Sequence, residues 1–299
     1  MSSFWKLLSF FITAVALIWL LTLYFIPAFQ GRIAVSSGFE IAGISIHYYG
    51  ILMALAILAC FFISMKTAAR FNIDPVHVES VLPWLVIFGF LGARLYFVVF
   101  AWDHFQDRLL DIPQIWKGGF SIYGGIIGAV VGLVLYTRKK NLPVMNFLDL
   151  IALSAPLAQA IGRLGNFFNS EAFGYPTSAA WKLYIAPASR PKNYLTEKFF
   201  HPTFLYELLW NLLVFFILWK LFKAMTPTSP PPHEGEEGRR SGQLFGIYLI
   251  LYSIGRFFIE GLRLDSFMAG AIRVDQVAAL LMCAAGLGIM YYTREKQTI

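Results

Sequence analysis

Residues 203 to 222 read T-F-L-Y-E-L-L-W-N-L-L-V-F-F-I-L-W-K-L-F, and the chain repeats such a run about once every thirty to forty residues. A run of about 20 apolar residues is long enough to cross the hydrocarbon core of a bilayer as a helix. Its backbone groups must then bond internally, which leaves few folds open. Hydrophobic residues make up 58% of the 299-residue chain and charged residues only 14%, more apolar surface than a soluble domain can hide. The runs are continuous rather than alternating, so a β-barrel is not expected. The fold class is therefore an all-α polytopic membrane protein of about eight transmembrane helices, near 7–28, 49–65, 81–100, 121–137, 146–163, 203–222, 243–262 and 274–292.

The net charge of +7 raises nucleic acid as a partner, but the basic residues lie in short tracts between apolar runs, so no nucleic-acid face is expected. Lys6, the pair Lys66 and Arg70, the tract Arg138 to Lys140, Lys220 and Lys223 with Arg239 and Arg240, and Arg294 with Lys296 all fall on one side if every span crosses. The positive-inside rule makes that side cytoplasmic and places both termini there. The opposite loops carry acids such as Asp103, Asp107 and Asp111. The first span has the basic start and apolar core of a signal peptide, but it is long and has no good small-x-small cleavage site before Pro27, so an uncleaved helix is expected. Residues 226–242 form a Pro- and Glu-rich cytoplasmic loop without chemistry of its own, and residues 164–202 the longest outer loop, laid along the interface by Trp181, Tyr184 and Tyr194. Cys60 and Cys283 each fall inside an apolar run and read as buried structural thiols, and no Cys/His metal set is present.

The polar residues of the spans gather at one depth, the outer half of the bilayer. Tyr48 and Tyr49 open the second span, Arg94 lies in the third, Tyr123 begins the fourth and Arg163 ends the fifth. His201, Tyr206 and Glu207 begin the sixth, and Arg256, Glu260 and Arg263 lie in the outer part of the seventh. The inner half offers little beyond Asp149. A charge inside a span is costly and is a functional candidate by default. Structural pairing explains part of the pattern: Arg256 and Glu260 are four apart on one helix face, and Gly124, Gly128 and Gly132 form a packing ladder. It explains less well why Arg94, Arg163, Arg256 and Arg263 outnumber Glu171, Glu207 and Glu260. A cluster of guanidinium forks at headgroup depth suits a lipid phosphate. Physical reasoning alone leaves open whether that lipid is only bound or also turned over. A transporter would show inverted repeats and a midplane site, and neither is found.

Residues 162–174, G-R-L-G-N-F-F-N-S-E-A-F-G, carry Gly162, Arg163, Gly165, Asn166, Phe167, Asn169, Glu171 and Gly174 at the fixed positions of a known signature. The stretch resembles the hallmark of bacterial prolipoprotein diacylglyceryl transferases. Further stretches similar to that family follow in order: Y-Y-G-I-L-M-A at 48–54, G-A-R-L-Y-F-V at 92–98, G-G-F-S-I-Y-G-G-I-I-G at 118–128, H-P-T-F-L-Y-E at 201–207 and G-R-F-F-I-E-G-L-R at 255–263. The resemblance spans roughly residues 45–292. It implies a seven-span transferase body at 45–299, preceded at 1–44 by an extra N-terminal helix and a periplasmic linker.

The resemblance also implies the activity and its partners. The diacylglyceryl group of phosphatidylglycerol, a membrane lipid, is expected to move to the lipobox cysteine thiol in the signal peptide of a prolipoprotein, releasing glycerol phosphate, in the bacterial inner membrane. No cofactor or metal is implied. Arg163 matches the family's signature arginine and is expected to bind phosphate. Arg256 matches the second essential arginine, expected at the leaving phosphate with Glu260 orienting it. Tyr49, Arg94, Asn166, Asn169, Glu171, Gly174, His201 and Arg263 are expected to line the headgroup pocket. Many members carry histidine in the S-x-H-G-G stretch, cast as the thiol base, where this chain has Tyr123. Tyrosine, with an ordinary pKa of about 10, is a poor base. The base is Tyr123 in a field of arginines, or His201, or none at all if the arginine field lowers the thiol's own pKa.

Overall fold

A computed structural model describes residues 19–225, 241–270 and 272–295. Seven helices are long and apolar enough to cross a membrane: α1 (Tyr48–Thr67), α2 (Pro75–Phe100), α3 (Ile122–Lys139), α4 (Val144–Phe168), α5 (Thr203–Met225), α6 (Gln243–Glu260) and α7 (Val274–Glu295). They coincide with seven of the eight expected spans. Of the first expected span, residues 19–28 are helical, with a π-helical stretch at Leu21–Phe25 running into Ile26–Phe29; its residues 7–18 lie outside the described residues. So does most of the expected cytoplasmic loop at 226–242.

The ends of the helices follow from local chemistry. Asp74 caps α2 by accepting the Val76 N–H at 2.9 Å, with Pro75 at the first helical position, where no N–H is needed. Pro83 and Pro156 lie inside α2 and α4 without ending them, as transmembrane helices allow. Asp149 on α4 is fully buried and accepts the Gly242 and Phe245 N–H groups, each at 2.8 Å. It thus satisfies first-turn donors of α6. The one inner-half carboxylate noted in the sequence is a helix cap supplied by another helix.

The chain divides into two compact units, one comprising Met1–Ala59, Ala155–Lys220 and Gly246–Tyr292, the other Cys60–Ser154, Leu221–Phe245 and Thr293–Ile299. In the second, α2 and α3 pack along the expected glycine ladder. A Cβ on Gly128 would strike the Phe88 carbonyl oxygen, and one on Gly124 the Gly92 carbonyl oxygen. Small residues let the two backbones approach. Arg94 belongs to this unit and is buried. It donates to the carbonyls of Asp111 (2.8 Å), Ile112 (2.9 Å), Gly118 (2.6 Å) and Gly119 (3.0 Å), and its guanidinium lies 5.3 Å from the Phe105 ring centroid. Arg94 thereby holds the loop that leads into α3.

In the first unit the outer loop has a folded core. Strands β1 (Leu183–Tyr184) and β2 (Phe199–Phe200) pair antiparallel. Phe167, Ala172, Phe173, Leu183, Ile185, Phe200 and Phe204 form a buried core with Ala28. Phe29 packs on Phe167, with ring centroids 6.0 Å apart. The helical stretch ahead of α1 is thereby tied to the loop that follows α4.

Candidate functional site

The signature begins on a helix and ends on a turn. Helix α4 continues through Phe168, so Gly162, Arg163, Gly165 and Asn166 stand on its last two turns. A Cβ on Gly165 would collide with the Tyr49 ring, so this glycine is the floor on which Tyr49 rests. Beyond the helix the chain reverses through Ser170 (φ 53°) and Ala172 (φ 54°), both left-handed. The reversal brings Glu171 back onto the helix end: its N–H donates to the Asn166 carbonyl at 3.0 Å. Its Oε1 accepts from Asn166 Nδ2 at 2.8 Å and Asn169 Nδ2 at 3.2 Å. Asn166 Oδ1 in turn accepts from Arg163 Nη1 at 3.2 Å. The polar residues of the motif are thus one chain, Glu171 to the two asparagines to Arg163.

That chain ends at Glu207. The carboxylate of this α5 residue is 4% exposed and faces three arginines: Arg163 Nη2 at 2.5 Å, Arg256 Nη1 at 3.1 Å and Arg263 Nη1 at 2.7 Å. Arg256 also pairs with Asp275 and, at 2.9 Å, with Glu260, the latter at an angle too bent for a hydrogen bond. Arg263 makes a two-pronged contact with Asp265, at 2.9 Å from Nε and 2.7 Å from Nη2. Burial alone would lower the pKa of Arg263, but the Asp265 hydrogen bond and the Glu207 charge outweigh it and the net shift is upward. Arg273 closes the end of α6 by donating to the carbonyls of Glu260 (2.8 Å) and Arg263 (3.0 Å).

The sequence pointed to an arginine surplus, and the structure balances it. Arg163, Arg256 and Arg263 face Glu207, Glu260, Asp265 and Asp275. Glu207, central to the cluster, had been noted only as a polar residue of its span, and Asp265, Asp275 and Arg273 had no signal because they stand near span ends, where charges are ordinary. Of the three clustered arginines, Arg163 is the most exposed, at 23%, and its partners among the described residues are only Glu207 and Asn166. A guanidinium has five N–H groups, so donors remain for a further oxygen.

Gly174 admits close approach, as expected, but of the chain to itself. A Cβ there would strike the Leu262 carbonyl oxygen. Gly174 donates to His201 O at 2.8 Å and bridges Arg263 on its other edge. Arg163, Arg256, Glu260, Arg263, Tyr49, Asn166, Asn169, Glu171, Gly174 and His201 all belong to the first unit, while Tyr123, 41% exposed in the first turn of α3, and Arg94 belong to the second. Among the described residues no three His, Cys, Asp or Glu side chains are grouped to hold a metal ion.

Comparison with known proteins gives the same family throughout. Residues 37–292 match the family model described as prolipoprotein diacylglyceryl transferase. Proteins named phosphatidylglycerol–prolipoprotein diacylglyceryl transferase are similar to most of the chain. The one from Synechococcus elongatus is 42% identical over 261 residues, 87% of this chain and 88% of its own length. That from Thermosynechococcus vestitus is 42% identical over 261 residues, 87% of this chain and 92% of its own length. A Nostoc relative is 43% identical over 248 residues, 83% of this chain and 85% of its own length.

Proposed function

Because the chain belongs to the prolipoprotein diacylglyceryl transferase family, we propose that its arginine–glutamate cluster holds the phosphate of phosphatidylglycerol while the diacylglyceryl group passes to a prolipoprotein cysteine. The enzyme carries out the first step of lipoprotein maturation. The cysteine thiolate of the lipobox attacks the glycerol carbon that bears the phosphate ester. That carbon–oxygen bond breaks, a thioether forms, and glycerol phosphate departs with the electron pair on its oxygen.

The observation that carries the site reading is Arg163: partly exposed, inside the signature, with donors left over. Phosphate oxygens match its fork. Arg256 stabilises the charge that grows on the leaving phosphate, and Glu260 and Asp275 hold it in place. Asn166, Asn169 and Glu171 fix the angle of Arg163 and, with Tyr49, shape the headgroup pocket. Glu207 ties Arg163, Arg256 and Arg263 into one rigid group. Gly174 and His201 form the adjoining wall. Tyr123 serves the thiol as a hydrogen-bond partner, and Arg94 serves the loop ahead of it. The transferase body is residues 45–299, with a periplasmic loop that begins after α4 ends at Phe168, not at 164 as expected, and runs to 202, and a cytoplasmic one at 226–242. Residues 1–44 add a helix that brings the spans to eight and both termini to the cytoplasm, as the basic tracts require. The site then faces the periplasm from the inner membrane.

The test is a transfer assay with purified protein in detergent, phosphatidylglycerol and a lipobox peptide, reading the peptide's mass. Wild-type protein adds one diacylglyceryl group, and Arg163→Ala stays in the membrane fraction but loses transfer ~100-fold or more. Wild-type rates in that variant would remove the phosphate site from Arg163.

A further inference from the structure

A chain of three side chains beside the cluster ends on His201. Trp181 Nε1–H donates to the Tyr206 hydroxyl oxygen at 2.7 Å. The same oxygen lies 3.0 Å from His201 Nδ1. An indole N–H only donates, so the phenol accepts from Trp181 and keeps its own hydrogen to give away. Among the described residues the acceptor within its reach is His201 Nδ1. With that hydrogen given to Nδ1, the neutral ring carries its proton on Nε2. Nε2 has no hydrogen-bond partner among the described residues.

The backbone places His201 at the border of the cluster. His201 donates its N–H to the Tyr175 carbonyl at 3.0 Å and accepts from Gly174 at 2.8 Å. The same short segment, through Gly174 and Tyr175, pairs on its other edge with Arg263 and Leu262. Tyr206 directly precedes Glu207, the carboxylate that gathers the arginines. The histidine is thus built into the backbone that borders the cluster.

We propose that His201 acts as a hydrogen-bond donor through Nε2–H to an acceptor oxygen of a bound substrate, and that Trp181 and Tyr206 are positioning residues that hold it in that tautomer. The proposal rests on the reading of the arginine cluster as the headgroup site. It removes His201 from the candidates for thiol base: the Nδ1 lone pair is occupied by the tyrosine, and Nε2 already bears a hydrogen. The acceptor is a phosphate or glycerol oxygen of the lipid, or a carbonyl of the peptide.

The test compares His201→Ala with His201→Gln in the transfer assay, varying phosphatidylglycerol and lipobox peptide separately. Glutamine places an amide N–H near the Nε2 position but takes no proton at neutral pH. His201→Ala lowers kcat/KM by ~10- to 100-fold, and His201→Gln recovers most of that loss. A loss seen as a raised KM for phosphatidylglycerol assigns the acceptor to the lipid, and one seen in the KM for peptide assigns it to the peptide. A glutamine variant as inactive as the alanine variant overturns the donor role. The tautomer is read independently by nitrogen NMR of wild-type protein labelled at its histidines, at alkaline pH, taking the signal lost in His201→Gln. Unprotonated Nδ1 with protonated Nε2 is expected, with a shift toward the other tautomer in Tyr206→Phe and Trp181→Phe. A protonated Nδ1 in the wild type overturns the proposal. Failure of the headgroup reading shows itself differently, as full transfer by Arg163→Ala, and leaves the NMR result unchanged.

Discussion

Replacing Glu207 by glutamine puts the arginine cluster to its sharpest test. The carboxylate is 4% exposed and pairs with three guanidinium groups, accepting hydrogen bonds from Arg256 and Arg263, yet the cost is not three buried ion pairs. Arg256 keeps Glu260 and Asp275, and Arg263 keeps Asp265. Arg163 alone is left without a carboxylate, retaining only Asn166. Breaking one buried pair costs about 3–5 kcal/mol. Arg163 is 23% exposed and can turn part of its charge to water, so the low end, about 3 kcal/mol, applies. Removing both partners should cost less than the sum, because neither leaves an unpaired charge. The assay is a double-mutant cycle with Glu207→Gln and Arg163→Gln, measured by reversible unfolding in mixed detergent micelles. A coupling of about 1–3 kcal/mol is expected, and a value under about 0.5 kcal/mol would refute the pairing on which the cluster depends.

Three further outcomes are expected. Tyr123→Phe lowers kcat by ~2- to 10-fold, the value of one neutral hydrogen bond; an unchanged rate takes the hydroxyl out of the chemistry. Gly174→Ala forces a methyl group against the Leu262 carbonyl oxygen and lowers stability by about 1–3 kcal/mol, read as a fall in unfolding temperature together with lost transfer; a variant with wild-type stability would show that the two segments can separate. Asp149→Leu leaves the Gly242 and Phe245 N–H groups without their buried acceptor and costs about 1–3 kcal/mol, with faster hydrogen exchange at the start of α6 as the signature; unchanged exchange there would mean the cap is replaced by water.

The helices were legible because span length is set by the bilayer: the run at 203–222 became Thr203–Met225 and that at 274–292 became Val274–Glu295. The placement of Arg163, Arg256 and Glu260 in one cluster was legible as well, since charge in a span has few reasons to exist. What the sequence hid was pairing. Arg94 counts as a free cation when residues are tallied by depth, but its donors go to loop carbonyls, and backbone acceptors leave no mark in a sequence. Asp265 and Asp275 lie just outside the apolar runs and look like ordinary loop acids, yet they balance Arg263 and Arg256. The core of the outer loop was hidden too: Phe167, Phe173 and Phe200 come together only through the chain reversal at Ser170 and Ala172.

The hold of Asp149 on Gly242 and Phe245 bears on how this enzyme can change. Helix α6 turns about 100° per residue, so a slip of one position at its start would swing Arg256 away from Glu207. Because the register is fixed after residue 241, chain added to or removed from 226–240 has no lever on that rotation. Length variation in that connection is then expected to leave turnover intact, and a transfer assay on a variant with an affinity tag inserted there checks it.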